Sequence, residues 1–419
     1  MEQTLYGLIG AKLGHSYSKL LHEQLGGYRY ELIPLPTEAE ARAFMEKRAF
    51  TAVNVTIPYK QLVIPYCDEI EPKARAIGAV NTIVHRGGKL YGYNTDYAGF
   101  AYLARAHGVD FAGRTVLILG TGGTHFTVEA VCRDGGAAEI LCASRTGRGG
   151  ALTYAEAAHR RDVQVIVNTT PCGMYPHVGQ CMLDPTAFPA LEAVLDVVYN
   201  PFRTELVLRA AERGVNAAGG FEMLVAQAVY AAQYFTGQFF ASDSVIPAAC
   251  RRLQRQLANV SLIGMPGCGK STVGAALAQT LNKTFVDLDE EIERRTGQNI
   301  PDIFAREGEE AFRRYEAAAL ADIAKQTGQV IACGGGIVKT QANVHALRQN
   351  GCVLWVQRPL GKLATGGRPL SRGGAALKQL QEERTPLYRA AADAVLDNAG
   401  TLQAAVEAAV QLFEREPLL

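Results

Sequence analysis

Two glycine-rich loops, each between a strand pattern and a helical pattern, constrain this chain most. Gly120-Thr121-Gly122-Gly123 follows an apolar run at residues 115–119, and Gly264-Met265-Pro266-Gly267-Cys268-Gly269-Lys270-Ser271 follows a second run at residues 260–263. Free backbone N–H groups and the helix dipole favour an anion at such a junction. The second loop carries the lysine that a triphosphate needs, and the first does not. The sequence therefore predicts two nucleotide sites with different chemistries.

Length and composition predict a soluble globular protein of two or three domains. A chain of 419 residues is too long for one typical core. A net charge of +1 gives no sign of a nucleic-acid or membrane partner. No apolar run reaches the roughly 18–20 residues of a membrane span, and the first residues show no signal-peptide pattern. The nine cysteines form no C-x-x-C pair, so we expect reduced thiols and a cytoplasmic protein.

Short apolar strands alternate with helical patterns, which predicts the α/β class with parallel sheets. We expect an α/β substrate lobe at residues 1–95 completed by residues 221–240, and a Rossmann-like lobe at residues 96–220. A linker at residues 241–258 precedes a third domain at residues 259–419, where the strand–helix pattern starts again.

The second loop matches the G-x-x-x-x-G-K-[ST] pattern of a P-loop in full. Lys270 would place a positive charge near the β and γ phosphates, and Ser271 would ligate Mg²⁺. Asp287 and Asp289 lie at the end of the next predicted strand. Their spacing of two residues puts both carboxylates on the same side of that strand, at the edge where open α/β sheets bind ligands. One carboxylate can hold the water shell of the metal while the other receives a substrate proton. Asp289 could instead cap the following helix, which would leave Asp287 unexplained.

Several further motifs in residues 259–413 resemble shikimate kinase. They are Phe312-Arg313 with Glu316, Gly334-Gly335-Gly336, Arg368-Pro369-Leu370 and Arg384-Thr385-Pro386-Leu387-Tyr388. The resemblance implies a P-loop domain of the nucleoside-monophosphate-kinase type that uses ATP and Mg²⁺ to phosphorylate shikimate.

The same resemblance implies a role for individual residues. Asp289 would bind shikimate hydroxyls and act as the base, Asp287 would assist the magnesium site, and Arg368 would close with a lid onto the ATP phosphates. The substrate carboxylate would be held by Arg313 and Arg384, with a backbone contact from Gly335. Guanidinium groups suit this role because they bind carboxylates as a fork, although a single arginine can equally be solvated, as we expect for Arg314. The implied nucleotide contacts are Gly264, Gly267, Cys268, Gly269, Lys270, Ser271 and Thr272.

The first glycine loop is weak evidence alone, but its surroundings favour a dinucleotide. The next strand ends in Ser144-Arg145-Thr146, where an acidic residue would indicate NAD and an arginine indicates the 2′-phosphate of NADP. Arg145 could also be an ordinary surface residue. The predicted cofactor contacts are Gly120, Thr121, Gly122, Gly123, Thr124, Ser144, Arg145 and Thr146.

Seven motifs in residues 5–237 together resemble shikimate dehydrogenase. They are Gly14-His15-Ser16-Tyr17-Ser18, Asn54-Val55-Thr56-Ile57-Pro58-Tyr59-Lys60, Gly78-Ala79-Val80-Asn81-Thr82, Asn94-Thr95-Asp96, Asn168-Thr169-Thr170-Pro171-Cys172-Gly173-Met174, Tyr199-Asn200-Pro201 with Thr204, and Met223-Leu224-Val225-Ala226-Gln227. The resemblance implies reduction of 3-dehydroshikimate to shikimate with NADPH, with Lys60 and Asp96 as the catalytic pair. It implies these substrate contacts: Ser16, Ser18, Thr56, Asn81, Tyr199 and Gln227.

Each of these residues also has an ordinary structural interpretation. Ser16 or Ser18 could cap the helix that follows them, and Asp96 could cap the helix that begins at Tyr97. Lys60 could be an ordinary solvated residue. One departure from the family is visible: His125 and Phe126 follow Thr124 where small residues are usual, so their bulk could narrow the phosphate site.

We therefore predict a bifunctional enzyme that makes shikimate and phosphorylates it. Two alternatives stay open, namely oxidation of quinate by the first half, and a first half that has lost catalysis. The oligomeric state cannot be predicted from the sequence.

Overall fold

The computed structural model describes residues 5–14, 16–363 and 374–415, together with all their side chains except those of residues 374–376. The chain divides into two compact units. The first comprises Met1–Met174, Gln180–Asn200 and Leu206–Leu253, and the second comprises Tyr175–Gly179, Pro201–Glu205 and Gln254–Leu419. No helix in the described ranges combines the length and apolar character needed to cross a membrane.

The first sheet of unit 1 is mixed. Its strands are β1 (Tyr6–Gly10), β2 (Tyr30–Pro34), β3 (Ala52–Val55), β4 (Glu69–Ile70), β5 (Thr82–Arg86) and β6 (Lys89–Tyr93), in the order β2-β1-β3-β5-β6-β4. Three helices accompany them: α1 (Ser18–Gly26), α2 (Glu38–Lys47) and α3 (Pro72–Ile77). Strands β1, β2 and β3 are parallel, as predicted, whereas β5 runs antiparallel to both β3 and β6.

The second sheet of unit 1 is parallel throughout. Its strands are β7 (Thr115–Leu119), β8 (Glu139–Ser144), β9 (Leu152–Thr153), β10 (Val165–Asn168), β11 (Ala193–Asp196) and β12 (Asn216–Ala218), in the order β12-β11-β10-β7-β8-β9. Its helices are α4 (Thr95–Ala106), α5 (Gly123–Asp134), α6 (Tyr154–Ala157) and α7 (Glu205–Glu212), and α8 (Phe221–Thr236) packs against both α4 and α1. Apolar clusters cover both faces of this sheet, which explains why its strands read as continuous apolar runs. The strand order reverses between β7 and β10, and ligands bind at such a switch point in open α/β sheets.

Helix α9 (Ser242–Leu257) occupies the segment that we predicted as a linker. Ile246, Cys250 and Leu253 are buried. The division between the two units falls inside this helix, after Leu253. The connection is therefore a regular element, which the mixed polar and basic composition did not indicate.

Unit 2 contains one parallel five-stranded sheet. Its strands are β13 (Asn259–Ile263), β14 (Thr284–Asp287), β15 (Gln329–Ala332), β16 (Gly351–Gln357) and β17 (Ala394–Asp397), in the order β14-β15-β13-β16-β17. Its helices are α10 (Lys270–Leu281), α11 (Leu288–Thr296), α12 (Ile300–Ala324), α13 (Gln341–Gln349), α14 (Gly374–Ala391) and α15 (Leu402–Arg415). Strand β13 is buried at every residue, lies in the centre of the sheet and leads directly into the lysine-bearing loop.

Helices α4 and α8 of unit 1 approach each other closely, and a glycine permits it. Gly99 of α4 has no side chain, and a Cβ there would lie 2.8 Å from the backbone oxygen of Met223 and 3.1 Å from the Cβ of Gln227. Asp96 lies one turn earlier on α4, so this contact sets the distance between Asp96 and α8.

We expect Gly99→Ala to destabilise unit 1, because the new methyl group can be accommodated only by separating α4 from α8. Overpacking of this kind costs about 1–3 kcal/mol. Thermal unfolding followed by circular dichroism should show a lower melting temperature for unit 1. Dehydrogenase turnover should also fall. Gly179→Ala, a loop glycine of unit 2, is the control for an added methyl group without a clash, since a Cβ there meets nothing within 4 Å. Equal melting curves for the two variants would show that the close packing of α4 against α8 does not limit the stability of unit 1.

Candidate active sites

Lys60 and Asp96 form a close and largely buried charged pair in the first unit. The Lys60 Nζ atom lies 2.6 Å from Asp96 Oδ2, and the two side chains are only 17% and 12% exposed. Lys60 lies in the turn after β3, whereas Asp96 lies in the first turn of α4, where the helix dipole favours a carboxylate. The Asn94 side chain caps this helix by accepting from the Tyr97 N–H at 3.1 Å. Asp96 is therefore not needed as the cap and is available to hold the ammonium group.

A buried polar network lies beside this pair. Asn81 Oδ1 accepts from the backbone N–H of Thr95 at 2.7 Å and from the Thr82 hydroxyl at 3.0 Å. Asn81 Nδ2 donates to the Thr95 hydroxyl at 3.1 Å. Asn81, Thr82 and Thr95 are each at most 3% exposed. The network anchors the start of α4 to the neighbouring strand, which positions the Asp96 carboxylate.

The other predicted substrate contacts lie on several elements. Ser16 Oγ accepts from the Ser18 N–H at 3.2 Å, so this hydroxyl supports the start of α1. Thr56 follows β3 and is half-buried. The Tyr199 ring contacts the Tyr17 ring edge to face at 5.8 Å, and burial raises the pKa of Tyr199. Gln227 donates to the Leu224 oxygen of its own helix at 2.8 Å, while its backbone contacts α4 at the glycine described above.

The first glycine loop lies at the switch point of the second sheet. Gly120 has a φ of 107°, and a Cβ there would lie 2.7 Å from the Thr170 side chain. At Gly122 and Gly123 a Cβ would meet nothing within 4 Å. Helix α5 begins after Gly122 without a side-chain cap. The loop is thus tight on its inner side and open on its outer side, as a backbone cradle for a phosphate requires.

The segment predicted to bind the 2′-phosphate, Ser144-Arg145-Thr146, lies at the end of β8. Ser144 Oγ accepts from the Gly147 N–H at 3.1 Å, which shapes the turn. Arg145 and Thr146 are exposed. Of the two residues that depart from the family, His125 is buried and Phe126 is 44% exposed. The histidine therefore turns under the loop and does not fill the open side.

The second glycine loop has the geometry of a P-loop. Gly264, Gly267 and Gly269 all have positive φ, and a Cβ at Gly264 would lie 2.4 Å from the Val356 oxygen. Lys270 Nζ lies over the loop and donates to the backbone oxygens of Gly264 and Met265 at 3.0 Å each. Thr272 follows in α10 and is exposed, whereas Cys268 is buried. The ammonium group is thus held against the loop by two backbone carbonyl oxygens.

Ser271 and Asp287 are brought together at the carboxyl edge of the sheet. Ser271 Oγ donates to Asp287 Oδ2 at 2.6 Å. Asp287 Oδ1 accepts from the Asp289 N–H at 3.0 Å, so Asp287, not Asp289, caps α11. A hydroxyl beside one carboxylate is a donor set that fits Mg²⁺, which takes few protein ligands and keeps several waters.

The P-loop and the carboxylates of Asp287 and Asp289 line a cavity of about 470 Å³ in unit 2. Asp289, Arg313, Glu316, Arg384 and the backbone of Gly335 lie in its wall. Arg313 Nη1 donates to Glu316 Oε2 at 2.7 Å, and Glu316 is fully buried. Burial raises the pKa of Glu316, and the Arg313 guanidinium opposes that shift.

Several buried polar atoms of this cavity have no hydrogen-bond partner within the described residues. They include Nε of Arg384, which is 2% exposed, Oε1 of Glu316 and Nε of Arg358. Buried polar groups are normally paired because desolvation is costly. The cavity therefore has unused binding capacity for a polar ligand, with a guanidinium group suited to a carboxylate.

Arg368 and the predicted lid lie outside the described residues. Sequence reasoning missed Arg358 and Asn398, which lie beside the P-loop. Asn398 Nδ2 donates to the Cys268 oxygen at 2.7 Å. Arg358 lines the cavity with its Nε unpaired among the described residues. Their positions in the sequence could have indicated them, because each residue directly follows a strand of the P-loop sheet.

Both halves are similar to known families. A shikimate kinase family model matches residues 266–414, and a model of the shikimate dehydrogenase substrate binding domain matches residues 8–83. A shikimate dehydrogenase (NADP(+)) from Clostridium perfringens (strain SM101 / Type A) is 34% identical over 250 residues, which cover 56% of this chain and 92% of that protein.

Solved structures give the same answer for the first half. A chorismate mutase/shikimate 5-dehydrogenase fusion protein from Clostridium acetobutylicum has a TM-score of 0.56 at 31% identity, covering 60% of this chain and 97% of its own. A shikimate 5-dehydrogenase from Thermus thermophilus, solved with NADP(H) and shikimate, has a TM-score of 0.53 at 29% identity, covering 60% and 99%. The chain belongs to the shikimate dehydrogenase family, and the same polypeptide carries a shikimate kinase domain.

Proposed function

We propose that the first unit reduces 3-dehydroshikimate to shikimate with NADPH, and that the second unit phosphorylates the 3-hydroxyl of shikimate with ATP and Mg²⁺. The observation that supports this most is that each unit combines an open phosphate loop with a separate cluster of buried charged residues. NADPH and ATP are available together in the cytoplasm, where we place both reactions.

In the first unit we assign proton transfer to Lys60. Reduction of a carbonyl requires a hydride at carbon and a proton at the forming alkoxide. NADPH supplies the hydride when bound. Lys60 donates the proton from its ammonium group, and Asp96, 2.6 Å away, orients that group and stabilises its charge. The hydroxyl and amide groups at Ser16, Ser18, Thr56, Asn81, Tyr199 and Gln227 would bind the polyol ring.

The cofactor would lie across the Gly120 loop. Its pyrophosphate would accept from the backbone N–H groups at the start of α5, and Gly120, Thr121, Gly122, Gly123 and Thr124 form that cradle. Arg145 would contact the 2′-phosphate with Ser144 and Thr146 beside it, because exposed arginine at the end of this strand favours NADP over NAD.

In the second unit the P-loop residues Gly264, Gly267, Cys268, Gly269, Lys270, Ser271 and Thr272 would hold the ATP phosphates. Ser271 and Asp287, already in contact, would hold the magnesium ion and its waters. Asp289 would bind the attacking hydroxyl and accept its proton. Arg313 and Arg384 would grip the carboxylate with Gly335, and Arg368 would add positive charge on closing. Such late charge delivery stabilises phosphoryl transfer.

The decisive experiment is a coupled assay of the intact chain with 3-dehydroshikimate, NADPH, ATP and Mg²⁺, with shikimate 3-phosphate measured as the product. We expect Lys60→Ala to abolish product from 3-dehydroshikimate but to leave phosphorylation of added shikimate unchanged. Lys89→Ala, at an exposed lysine, is the control. A chain that phosphorylates shikimate but never oxidises it with NADP⁺ would show that the first unit has lost catalysis. Comparing kcat/KM for quinate and shikimate would identify its substrate.

Variants of the kinase site should give the reverse pattern. Lys270→Ala and Asp289→Asn should each lower phosphorylation by at least about 10²-fold, as expected for loss of a group that acts in the transition state. Dehydrogenase turnover should not change. Lys378→Ala, at an exposed lysine of α14, serves as the control. Loss of both activities in either variant would mean that the two units do not function independently.

Adjacent arginines test the carboxylate site. Arg313 lines the cavity and contacts Glu316, whereas Arg314 is 68% exposed and pairs only with Glu310 in the described structure. We expect Arg313→Ala to raise the KM for shikimate by about tenfold or more, since a charge-assisted hydrogen bond is lost. Arg314→Ala should leave the KM within about twofold. Similar KM values for both variants would contradict the assignment.

A further inference from the structure

The three glycines at residues 334–336 follow β15 and lie in the wall of the kinase cavity, and we call them the triple-glycine loop. A Cβ at Gly334 would lie 2.8 Å from Glu316 Oε1. A Cβ at Gly335 would lie 3.3 Å from Arg384 Nη1. Charged groups of the site therefore pack directly on this backbone, and its orientation affects what they can bind.

Tyr388 reaches the triple-glycine loop from α14. It lies one turn after Arg384, so the two side chains leave the helix on the same face. The Tyr388 hydroxyl donates to the Gly335 backbone oxygen at 2.5 Å. The direction of this bond is fixed, because a carbonyl oxygen can only accept. Tyr388 is fully buried and does not line the cavity, so it holds the loop from the side away from a ligand.

The other two carbonyls of the loop are also used within the protein. The Gly334 oxygen accepts from the Ile337 N–H at 3.2 Å, and the Gly336 oxygen accepts from the Lys339 N–H at 3.1 Å. The N–H groups of the three glycines, in contrast, have no hydrogen-bond partner in the part of the chain that the structure describes. The loop therefore offers a ligand hydrogen-bond donors and keeps its acceptors for the protein.

The orientation of the Gly335 oxygen determines that of the next N–H. A trans peptide is planar, and its C=O and N–H point in opposite directions. Because the Gly335 oxygen is directed to Tyr388 and away from the cavity, the Gly336 N–H is directed to the cavity side. The Arg313 guanidinium lies against Gly336, where it would collide with a Cβ. An anion held by this arginine would thus also meet a backbone donor.

The surroundings of Tyr388 keep it a neutral and fixed donor. Burial raises the pKa of its hydroxyl, although the Arg384 guanidinium opposes this shift. The tyrosine ring packs against the Trp355 indole, with ring centroids 5.8 Å apart. The hydroxyl therefore stays protonated and is held in place by its own ring.

We propose that Tyr388 is a positioning residue for the kinase substrate: its hydroxyl holds the Gly335 carbonyl away from the cavity, so that the triple-glycine loop presents backbone N–H groups to the substrate carboxylate beside Arg313 and Arg384. This inference rests on the proposed phosphorylation of shikimate. It gives a role to the last residue of the Arg384–Tyr388 motif, to which the sequence assigned none.

The test is steady-state phosphorylation of shikimate by the intact chain, with shikimate and ATP varied in turn. Tyr388→Phe removes a single oxygen atom and should raise the KM for shikimate about tenfold, as expected when a buried carbonyl loses its donor. The KM for ATP and kcat should stay within about twofold, because the change affects a contact to bound shikimate and not the transfer step. Dehydrogenase turnover should not change.

Two further variants separate the hydroxyl from general packing. Tyr315→Phe removes a hydroxyl that donates to Glu307 at an exposed site outside the cavity, and its kinetic constants should match those of the unmodified chain. Trp355→Phe loosens the packing around Tyr388 but keeps the hydroxyl. It should therefore lower the melting temperature without raising the KM for shikimate.

An unchanged KM for shikimate in Tyr388→Phe would overturn the inference while leaving the proposed function intact. An equal rise of this KM in Trp355→Phe would do the same, because it would show that packing and not the hydroxyl is responsible. Failure of the unmodified chain to phosphorylate shikimate would contradict the proposed function itself.

Discussion

The carboxyl edge of a buried parallel sheet is the constraint on which both sites depend. Strand β13 is buried at every residue and β7 at every residue after Thr115, so the polar groups of each site lie where these strands end. At each end a glycine loop turns directly into a helix, and the backbone itself supplies the anion-binding N–H groups. The side chains that complete each site come from the ends of other strands in the same sheet, such as Thr169 beside Gly120 and Asp287 beside Ser271.

Buried charge explains why these sites are internally ordered. A charged group removed from water is tolerated only when it is paired and hydrogen-bonded. Lys60 is therefore held by Asp96, and Glu316 by Arg313. Cavity atoms without a partner among the described residues, such as Nε of Arg384 and Oε1 of Glu316, mark where a polar ligand would complete the set. The need to pair buried charges therefore explains both why these side chains are held in fixed positions and why the cavity suits a charged ligand.

The apolar runs at residues 115–119 and 260–263 predicted β7 with its observed bounds and β13 to within one residue. The antiparallel pair β5 and β6 was missed, although Gly87 and Gly88 between them both have positive φ, as a tight hairpin turn requires. The helical character of residues 242–257 was missed as well, because its polar composition resembles that of a linker. Arg358 and Asn398 were missed because each reaches the P-loop from a strand distant in sequence.

The sequence by itself determined the class of fold, the two loops and the families, because glycine spacing, strand–helix alternation and grouped polar residues are local or motif properties. The tertiary structure decided which polar groups meet. It placed Lys60 against Asp96, assigned the α11 cap to Asp287 instead of Asp289, and turned His125 inward. These outcomes depend on neighbouring strands and helices that are brought together only on folding, so no single segment contains them. For His125 the orientation depends on β8, because the sulfur of Cys142 on that strand lies 3.7 Å from the Nδ1 atom of the histidine.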